Sequence, residues 1–128
     1  MSEDQIVSDG LKQVYNAVLQ ARDIDAGLYD EVVRALQAAF PDEGFGESGP
    51  LSGRDATDAV LHMVNTHLPE WSIVLKGKAH EADGDWSCTL RQSDLRDNDA
   101  MIGTGAGPTL ALAMLVAFLK LQVVRASL

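Results

Sequence analysis

Apolar residues recur every three or four positions through the first forty residues of the chain. Two series have this spacing: Val7, Leu11, Val14 and Val18, followed by Leu28, Val32, Leu36 and Phe40. Apolar positions at this interval lie on one face of an α-helix. The spacing therefore predicts helix 1 over about residues 3–20 and helix 2 over about residues 26–40, with Pro41 ending the second run.

The segment between residues 41 and 54 breaks this periodicity. Its sequence, PDEGFGESGPLSGR, contains four glycines and two prolines, and such a composition disfavours regular structure. We expect a mobile connection here. Asp55 can then cap a third helix that ends before Pro69. The apolar side of that helix consists of Ala56, Ala59, Val60, Met63, Val64 and His67.

After Pro69 the apolar residues alternate with their neighbours instead. Two segments show this pattern: Trp71, Ile73 and Leu75 in the first, and Trp86, Cys88 and Leu90 in the second. The alternation predicts a β-hairpin with one apolar face and with Asp83-Gly84 in its connection. Because two strands alone are marginally stable, we expect a third strand near Met101-Ile102, after the polar loop SDLRDNDA.

The chain closes with a glycine-rich stretch, GTGAGPT, and the apolar run LALAMLVAFLKLQVV. Pro108 suits the first position of a helix, because proline has no N–H to leave unpaired there. Projected as a helix, the run points apolar side chains in every direction, so the helix must be buried on most sides. It is either the central helix of the fold or half of a homodimer interface.

These elements predict an α+β fold in which helices cover a small antiparallel sheet and the C-terminal helix is buried. Residues 1–128 form one domain. Within it we distinguish an acidic helical part (1–40), a Gly/Pro-rich linker (41–54) and an α-β-β-(β)-α part (55–128).

Composition places the chain in the globular class. Of its 128 residues, 46% are hydrophobic and 23% are charged, which is outside the disordered and collagen-like ranges. The single Cys88 cannot form an internal disulfide and favours a reducing compartment. The start, MSEDQIV, does not resemble a signal peptide, and the longest apolar run, 110–119, is half a membrane span. We therefore expect a soluble, cytoplasmic protein that does not bind membranes.

The charge is distributed unevenly. Residues 1–58 contain twelve acidic and four basic residues, whereas residues 59–128 contain seven and six, within a net charge of −9. One interpretation is a solvated coat that keeps a small domain soluble. The other is a surface that binds a basic partner, with these candidate residues: Asp23, Asp30, Glu31, Asp42, Glu43 and Glu47.

Few residues have the spacing of a metal or catalytic site. His62 and His67 are five positions apart, whereas two ligands on one helical face need a spacing of three or four. The loop with Asp94, Asp97 and Asp99 lacks the order of an EF-hand. We expect no metal and no cofactor. Cys88 lies on the apolar side of its strand, which predicts burial rather than nucleophilic chemistry.

Two further segments have a weak binding signal. Gly103, Gly105 and Gly107 precede a helix and could bind an anion through backbone N–H groups, but a tight strand-to-helix turn explains them equally well. The polar face of the hairpin carries a basic cluster of Lys76, Lys78, Thr89 and Arg91. Both tryptophans fall on the opposite face, so no aromatic platform for bases accompanies the cluster, and we expect no direct binding of nucleic acid.

Four segments over about residues 21–120 carry a family resemblance: ARDIDAGLYDEVVRAL, DATDAVLHMVNTHLPEWSIVL, DGDWSCTLR and GTGAGPTLALAMLVAFL. In their order and spacing the chain resembles the phage ABA sandwich family of small phage and prophage proteins. The resemblance implies a phage or prophage origin and, from the family name, a three-layer αβα sandwich. It implies no catalytic residue.

Because no catalytic set is recognisable, we interpret the chain as a non-enzymatic phage or prophage accessory protein that binds another protein. By analogy it is an anti-defence inhibitor of the anti-CRISPR kind, which presents an acidic surface to a basic nucleic-acid-handling complex of the bacterial host. One alternative is a structural or assembly component of the virion. A second is a small hydrolase or nucleotide-binding protein. A homodimer is also expected from the apolar C-terminal helix.

Overall fold

The computed structural model describes residues 3–45, 51, 55–78, 85–92 and 102–126. The elements follow in this order: α1 Glu3–Gln20, α2 Ala26–Ala39, the 3₁₀ turn η1 Pro41–Glu43, α3 Ala56–His67, β1 Ser72–Lys78, β2 Asp85–Arg91, β3 Ile102–Gly107 and α4 Leu110–Ala126. The α+β class and the order of helices and strands are confirmed. The strand β3 is longer than expected, since it takes in most of the glycine-rich stretch.

Side-chain caps fix where three of the helices begin. The carboxylate of Asp25 accepts a hydrogen bond from the Leu28 N–H at 2.7 Å, and that of Asp55 accepts one from the Thr57 N–H at 2.9 Å. The Thr109 hydroxyl accepts from the Leu112 N–H at 3.1 Å. Thr109 is therefore the cap of α4, and the expectation that Pro108 occupies the first helical position is wrong by two residues. The Thr109 hydroxyl accepts a hydrogen bond from a backbone N–H in the first turn of α4, which a proline side chain cannot do.

The three strands form one antiparallel sheet in the order β1-β2-β3. Leu75 pairs with Cys88, and Cys88 pairs in turn with Gly105, so these three residues lie on the same face of the sheet. Cys88 and Leu90 are buried on this face. We call it the inner face, because α4 packs against it.

Helix α4 lies at the centre of the domain, between the sheet on one side and α1 and α3 on the other, while α2 packs on α1. Every residue from 111 to 119 is buried. Of the two arrangements left open by the sequence, the central helix is confirmed. The apolar circumference of α4 is covered within one chain, so it no longer gives a reason to expect a homodimer.

The opposite face of the sheet, which we call the outer face, is open in the described parts of the chain. Its residues Val74, Lys76, Thr104 and Ala106 are exposed, and Ile102 is also exposed. The helices described therefore cover one face of the sheet only. This arrangement differs from the sandwich that the family resemblance implied, in which helices cover both faces.

The linker does not behave as a mobile connection over its first five residues. Pro41 starts the turn η1, Gly44 adopts a left-handed conformation at its end, and Phe45 is fully buried. Leu51 is buried as well. Burying a large apolar side chain such as Phe45 contributes about 1.5–3 kcal/mol, which offsets part of the entropy lost when a glycine-rich segment is ordered.

The apolar face of β1 is less buried than its alternation predicts. Trp71, Ile73 and Trp86 pack partly buried against the core, whereas Leu75 is 38% exposed. The strand β1 is at the edge of the sheet, and α4 packs on β3 and β2 instead. Leu75, on the apolar face predicted for the hairpin, therefore lies outside the buried core.

Candidate functional site

Acidic side chains line the exposed side of α2 and both of its ends. Asp23 precedes the helix, Asp30 and Glu31 lie within its first half, and Asp42 and Glu43 follow it in η1; all five are exposed. A helix of this length is about 21 Å long. We refer to these five exposed carboxylates along α2 and η1 as the acidic surface. Glu47 lies outside the described residues.

Three of these carboxylates already have partners within the chain. Asp23 accepts a hydrogen bond from the Ile24 N–H at 2.8 Å, and Asp30 forms an exposed ion pair with Arg34 at 3.3 Å. Glu43 forms an ion pair with Arg125 of α4 at 2.9 Å. Exposed pairs of this kind contribute little stability and exchange readily with other partners. Glu31 and Asp42 are the acidic residues most available to an approaching cation.

A groove of about 350 Å³ between α1 and α2 runs beside Glu31. Val14 and Ala17 of α1 provide its apolar floor, and Gln13, Glu31 and Arg34 border it. Val14 belongs to the apolar face predicted for helix 1, and no pattern in the sequence singles out Gln13 or Ala17. Nothing in the local pattern could have found this groove, because it depends on how α1 and α2 pack on each other.

A second cluster ties η1 to the ends of α3 and α4. The Phe45 and His67 rings are stacked with centroids 3.9 Å apart, and Phe118 meets Phe45 edge-on at 6.3 Å. The Arg125 guanidinium lies 3.8 Å from the centroid of the Phe40 ring. A cavity of about 150 Å³ beside His67 and Arg125 is smaller than ordinary ligand pockets, which have about 300–1,000 Å³. We assign the cluster a structural role.

Burial lowers the pKa of His67 from its usual value; the carboxylate of Glu43 opposes this effect, while the electrostatic influence of Arg125 and His62 adds to it. The buried Nε2 atom of His67 has no hydrogen-bond partner among the described residues. A protonated ring would therefore bring a charged donor into an apolar site. The neutral ring is the form that packs against Phe45.

We expect the free energy of unfolding to fall as pH decreases from 7.5 to 5.5. The pKa of His67 is lower in the folded than in the unfolded state, where it is about 6.5. Protons therefore bind preferentially to the unfolded state below about pH 6.5. Urea unfolding at several pH values measures this slope.

The variant His67→Phe should reduce the slope, because phenylalanine can stack on Phe45 but does not titrate. His62→Gln, on the exposed side of the same helix, removes only the smallest of the effects on the His67 pKa and should change the slope less than His67→Phe does. Equal slopes for wild type and His67→Phe would contradict this role for His67.

Cys88 is buried on the inner face, as its place in the strand predicted. Burial raises the pKa of its thiol to about 11, so the nucleophilic thiolate is rare at neutral pH. Within the described ranges, no three metal-ligating side chains come together. The loop with Asp94, Asp97 and Asp99 lies outside those ranges.

Gly103, Gly105 and Gly107 have a packing role in the structure. They occupy β3 and face α4; a Cβ atom on Gly105 would lie 2.5 Å from the Ala117 nitrogen. Close approach of the helix to the sheet thus explains all three glycines without a ligand. Anion binding by them stays a prediction, and their assignment to a strand-to-helix turn is wrong.

Among the parts of the chain that the structure describes, no helix combines the length and apolar character needed to cross a membrane. Comparison with protein-family models returned no match, and neither did comparisons with curated proteins and with solved structures. The resemblance to the phage ABA sandwich family therefore stays a prediction, and function has to be inferred from the chain's own residues.

Proposed function

We propose that this protein acts by binding another protein, and that the acidic surface along α2 and η1 meets a partner rich in lysine and arginine. One observation carries the proposal: Glu31 borders an apolar groove floored by Val14 and Ala17, on a surface where further exposed carboxylates extend to either end of α2. A purely solvating coat needs no such groove.

The two parts of the surface have different roles in binding. The carboxylates at the ends of α2 act at a distance and raise the association rate, an effect that salt weakens. The groove accepts an apolar or long basic side chain, whose aliphatic portion packs on Val14 while its charge meets Glu31. Contacts buried in this way govern the dissociation rate.

We propose further that the setting is a phage or prophage and the cytoplasm of its bacterial host, as the family resemblance implies. There the partner is a basic nucleic-acid-handling complex, and the protein is an inhibitor of the anti-CRISPR kind. The acidic surface supports this, since it can occupy a basic channel that otherwise holds nucleic acid.

The experiment starts from a partner captured from host lysate and purified, with association rates measured by surface plasmon resonance at low and physiological salt. The test variant carries Asp23→Lys, Glu31→Lys and Asp42→Lys. Asp30 is left unchanged because it pairs with Arg34. The control variant carries Asp58→Lys, Glu70→Lys and Asp85→Lys, three exposed sites away from α2 that give the same change in net charge.

We expect the test variant to associate at least about tenfold more slowly than wild type at low salt, with a flatter salt dependence. The association rate of the control variant should stay closer to that of wild type. Equal slowing in both variants would mean that net charge alone matters, and no slowing in the test variant would place the interface elsewhere. Incorporation of the protein into virus particles in fixed stoichiometry would favour the assembly role instead.

A further inference from the structure

The strand β1 leaves one side open for pairing. It is the first strand in the order β1-β2-β3 and runs for seven residues, Ser72–Lys78. Within the described residues, β2 is the only strand hydrogen-bonded to it. An edge strand of this length presents a row of backbone N–H and C=O groups that an extended peptide can pair with.

Two apolar side chains are exposed on this edge strand, one on each face. Val74 on the outer face is 43% exposed and Leu75 on the inner face is 38% exposed. An added strand would cover both, because cross-strand neighbours on the same face pack against each other.

The side chains that follow Val74 on the outer face are basic. Lys76 and Lys78 follow it on the outer face, and both are exposed. Neither lysine forms an ion pair with any described residue, although Asp85 is the register partner of Lys78. The strands contain Lys76, Lys78 and Arg91 against Asp85 alone, whereas residues 3–43 contain nine acidic and three basic residues. The part of the chain with α1, α2 and η1 and the sheet thus carry net charges of opposite sign.

The surface beside the two lysines is concave. A depression of about 330 Å³ is lined by these lysines together with Gly77, Asp85, Trp86, Ser87 and Ala106. Ser87 and Ala106 are small, so the floor between the strands is low and leaves room for side chains from an added strand. The Ser87 hydroxyl donates only a long hydrogen bond, 3.4 Å, to the Lys76 carbonyl.

We propose that β1 binds an extended acidic peptide by strand addition, with two carboxylates at alternate positions of the peptide meeting Lys76 and Lys78. Opposite charges directly across from each other stabilise a strand pair. A second copy of this chain fits less well, because its own β1 offers lysines and no carboxylate and each copy has a net charge of −9. This surface lies on the far side of α4 from the acidic surface and does not depend on the function proposed above.

The probe is a fluorescein-labelled peptide, Glu-Thr-Glu-Val-Val-Thr-Thr, which in antiparallel pairing places its glutamates opposite Lys78 and Lys76 and a valine opposite Val74. Fluorescence anisotropy should give saturable binding. A peptide with lysine in place of both glutamates should bind at least about tenfold more weakly.

Two protein variants separate the site from general electrostatics. Lys76→Glu with Lys78→Glu should weaken binding at least tenfold. The control variant carries Lys12→Glu and Arg22→Glu, at two exposed positions on and after α1. It changes the net charge by the same amount as the test variant and should bind the peptide with an affinity within about twofold of wild type. An equal loss of peptide affinity in both variants would overturn the proposal.

Backbone pairing is tested with two peptides N-methylated on alternate amides. Only one set of amides faces β1 in a strand pair, so one methylated peptide should lose binding and the other should keep it. Equal binding by both would overturn strand addition. Sedimentation experiments test whether a second copy occupies the edge instead. If the wild type self-associates, and the double variant Lys76→Glu with Lys78→Glu changes that self-association, the edge binds a second copy and the proposal is likewise overturned.

Discussion

Leu115→Asp is expected to abolish cooperative folding. Leu115 lies in the middle of α4 with 0% of its surface exposed, in a helix that the sheet and two other helices cover. A carboxylate placed there has no cation within the buried segment 111–119. Its burial costs several kcal/mol, a large share of the 5–15 kcal/mol that stabilise an ordinary domain. Circular dichroism during urea titration measures the loss.

Val124→Asp is the matched control for this change. It makes the same kind of substitution in the same helix, but Val124 is 45% exposed and its carboxylate stays in water. We expect a loss below about 1 kcal/mol, due chiefly to a negative charge in the last turn of a helix. A Leu115→Asp protein that unfolds at the same urea concentration as Val124→Asp would contradict the central position of α4.

The same helix shows what sequence can and cannot predict. The uniformly apolar run predicts that α4 is buried on most sides, and it is. The pattern does not say which surfaces cover it, because apart from the adjacent strand β3 these come from β2, α1 and α3, which are distant in sequence. A homodimer interface and a central helix therefore leave the same local signal, and only the tertiary packing distinguishes them.

Phe45 illustrates the opposite case, in which local composition was misleading. Its glycine-rich surroundings predict a mobile loop, yet its ring is fully buried and stacks on His67. Its partners lie 22 and 73 positions later in the chain, at His67 and Phe118. A lone aromatic residue in a polar linker was the available signal, since burying a large apolar side chain contributes about 1.5–3 kcal/mol.

The acidic surface was predictable and the groove beside it was not. Charge is read directly from the sequence, and the candidates Asp23, Asp30, Glu31 and Asp42 are all exposed. The groove needs Val14 and Ala17 of α1 to lie next to Glu31 of α2. That neighbourhood follows from the angle at which two helices pack, which apolar spacing constrains only loosely.

Glycine occupies every second position of GTGAG. This two-residue repeat is typical of a β-strand, although the number of glycines suggested a turn. Gly103, Gly105 and Gly107 alternate along β3, so all three face α4. The absence of side chains lets the helix backbone approach the sheet closely. A Cβ atom on Gly105 would lie 2.5 Å from the Ala117 nitrogen and 2.6 Å from the Ala113 carbonyl oxygen.

Gly105→Ala should therefore destabilise the protein by about 1–3 kcal/mol or more. Both atoms that the new methyl group would meet belong to the backbone of α4, so no side-chain rotation relieves the clash and the helix has to move away from β3. Such a shift also loosens the packing of Cys88 and Leu90, which are buried on the same face. Thermal and urea unfolding measure the change.

Gly10→Ala makes the same chemical change where there is space for it. Gly10 lies inside α1, and no atom would come within 4 Å of its added Cβ. Alanine is favoured over glycine in a helix by about 0.5–1 kcal/mol, so this variant should be more stable than wild type. The two substitutions thus shift stability in opposite directions, because the cost of a methyl group depends on whether backbone already occupies its place. A Gly105→Ala protein as stable as Gly10→Ala would show that α4 does not lie against β3.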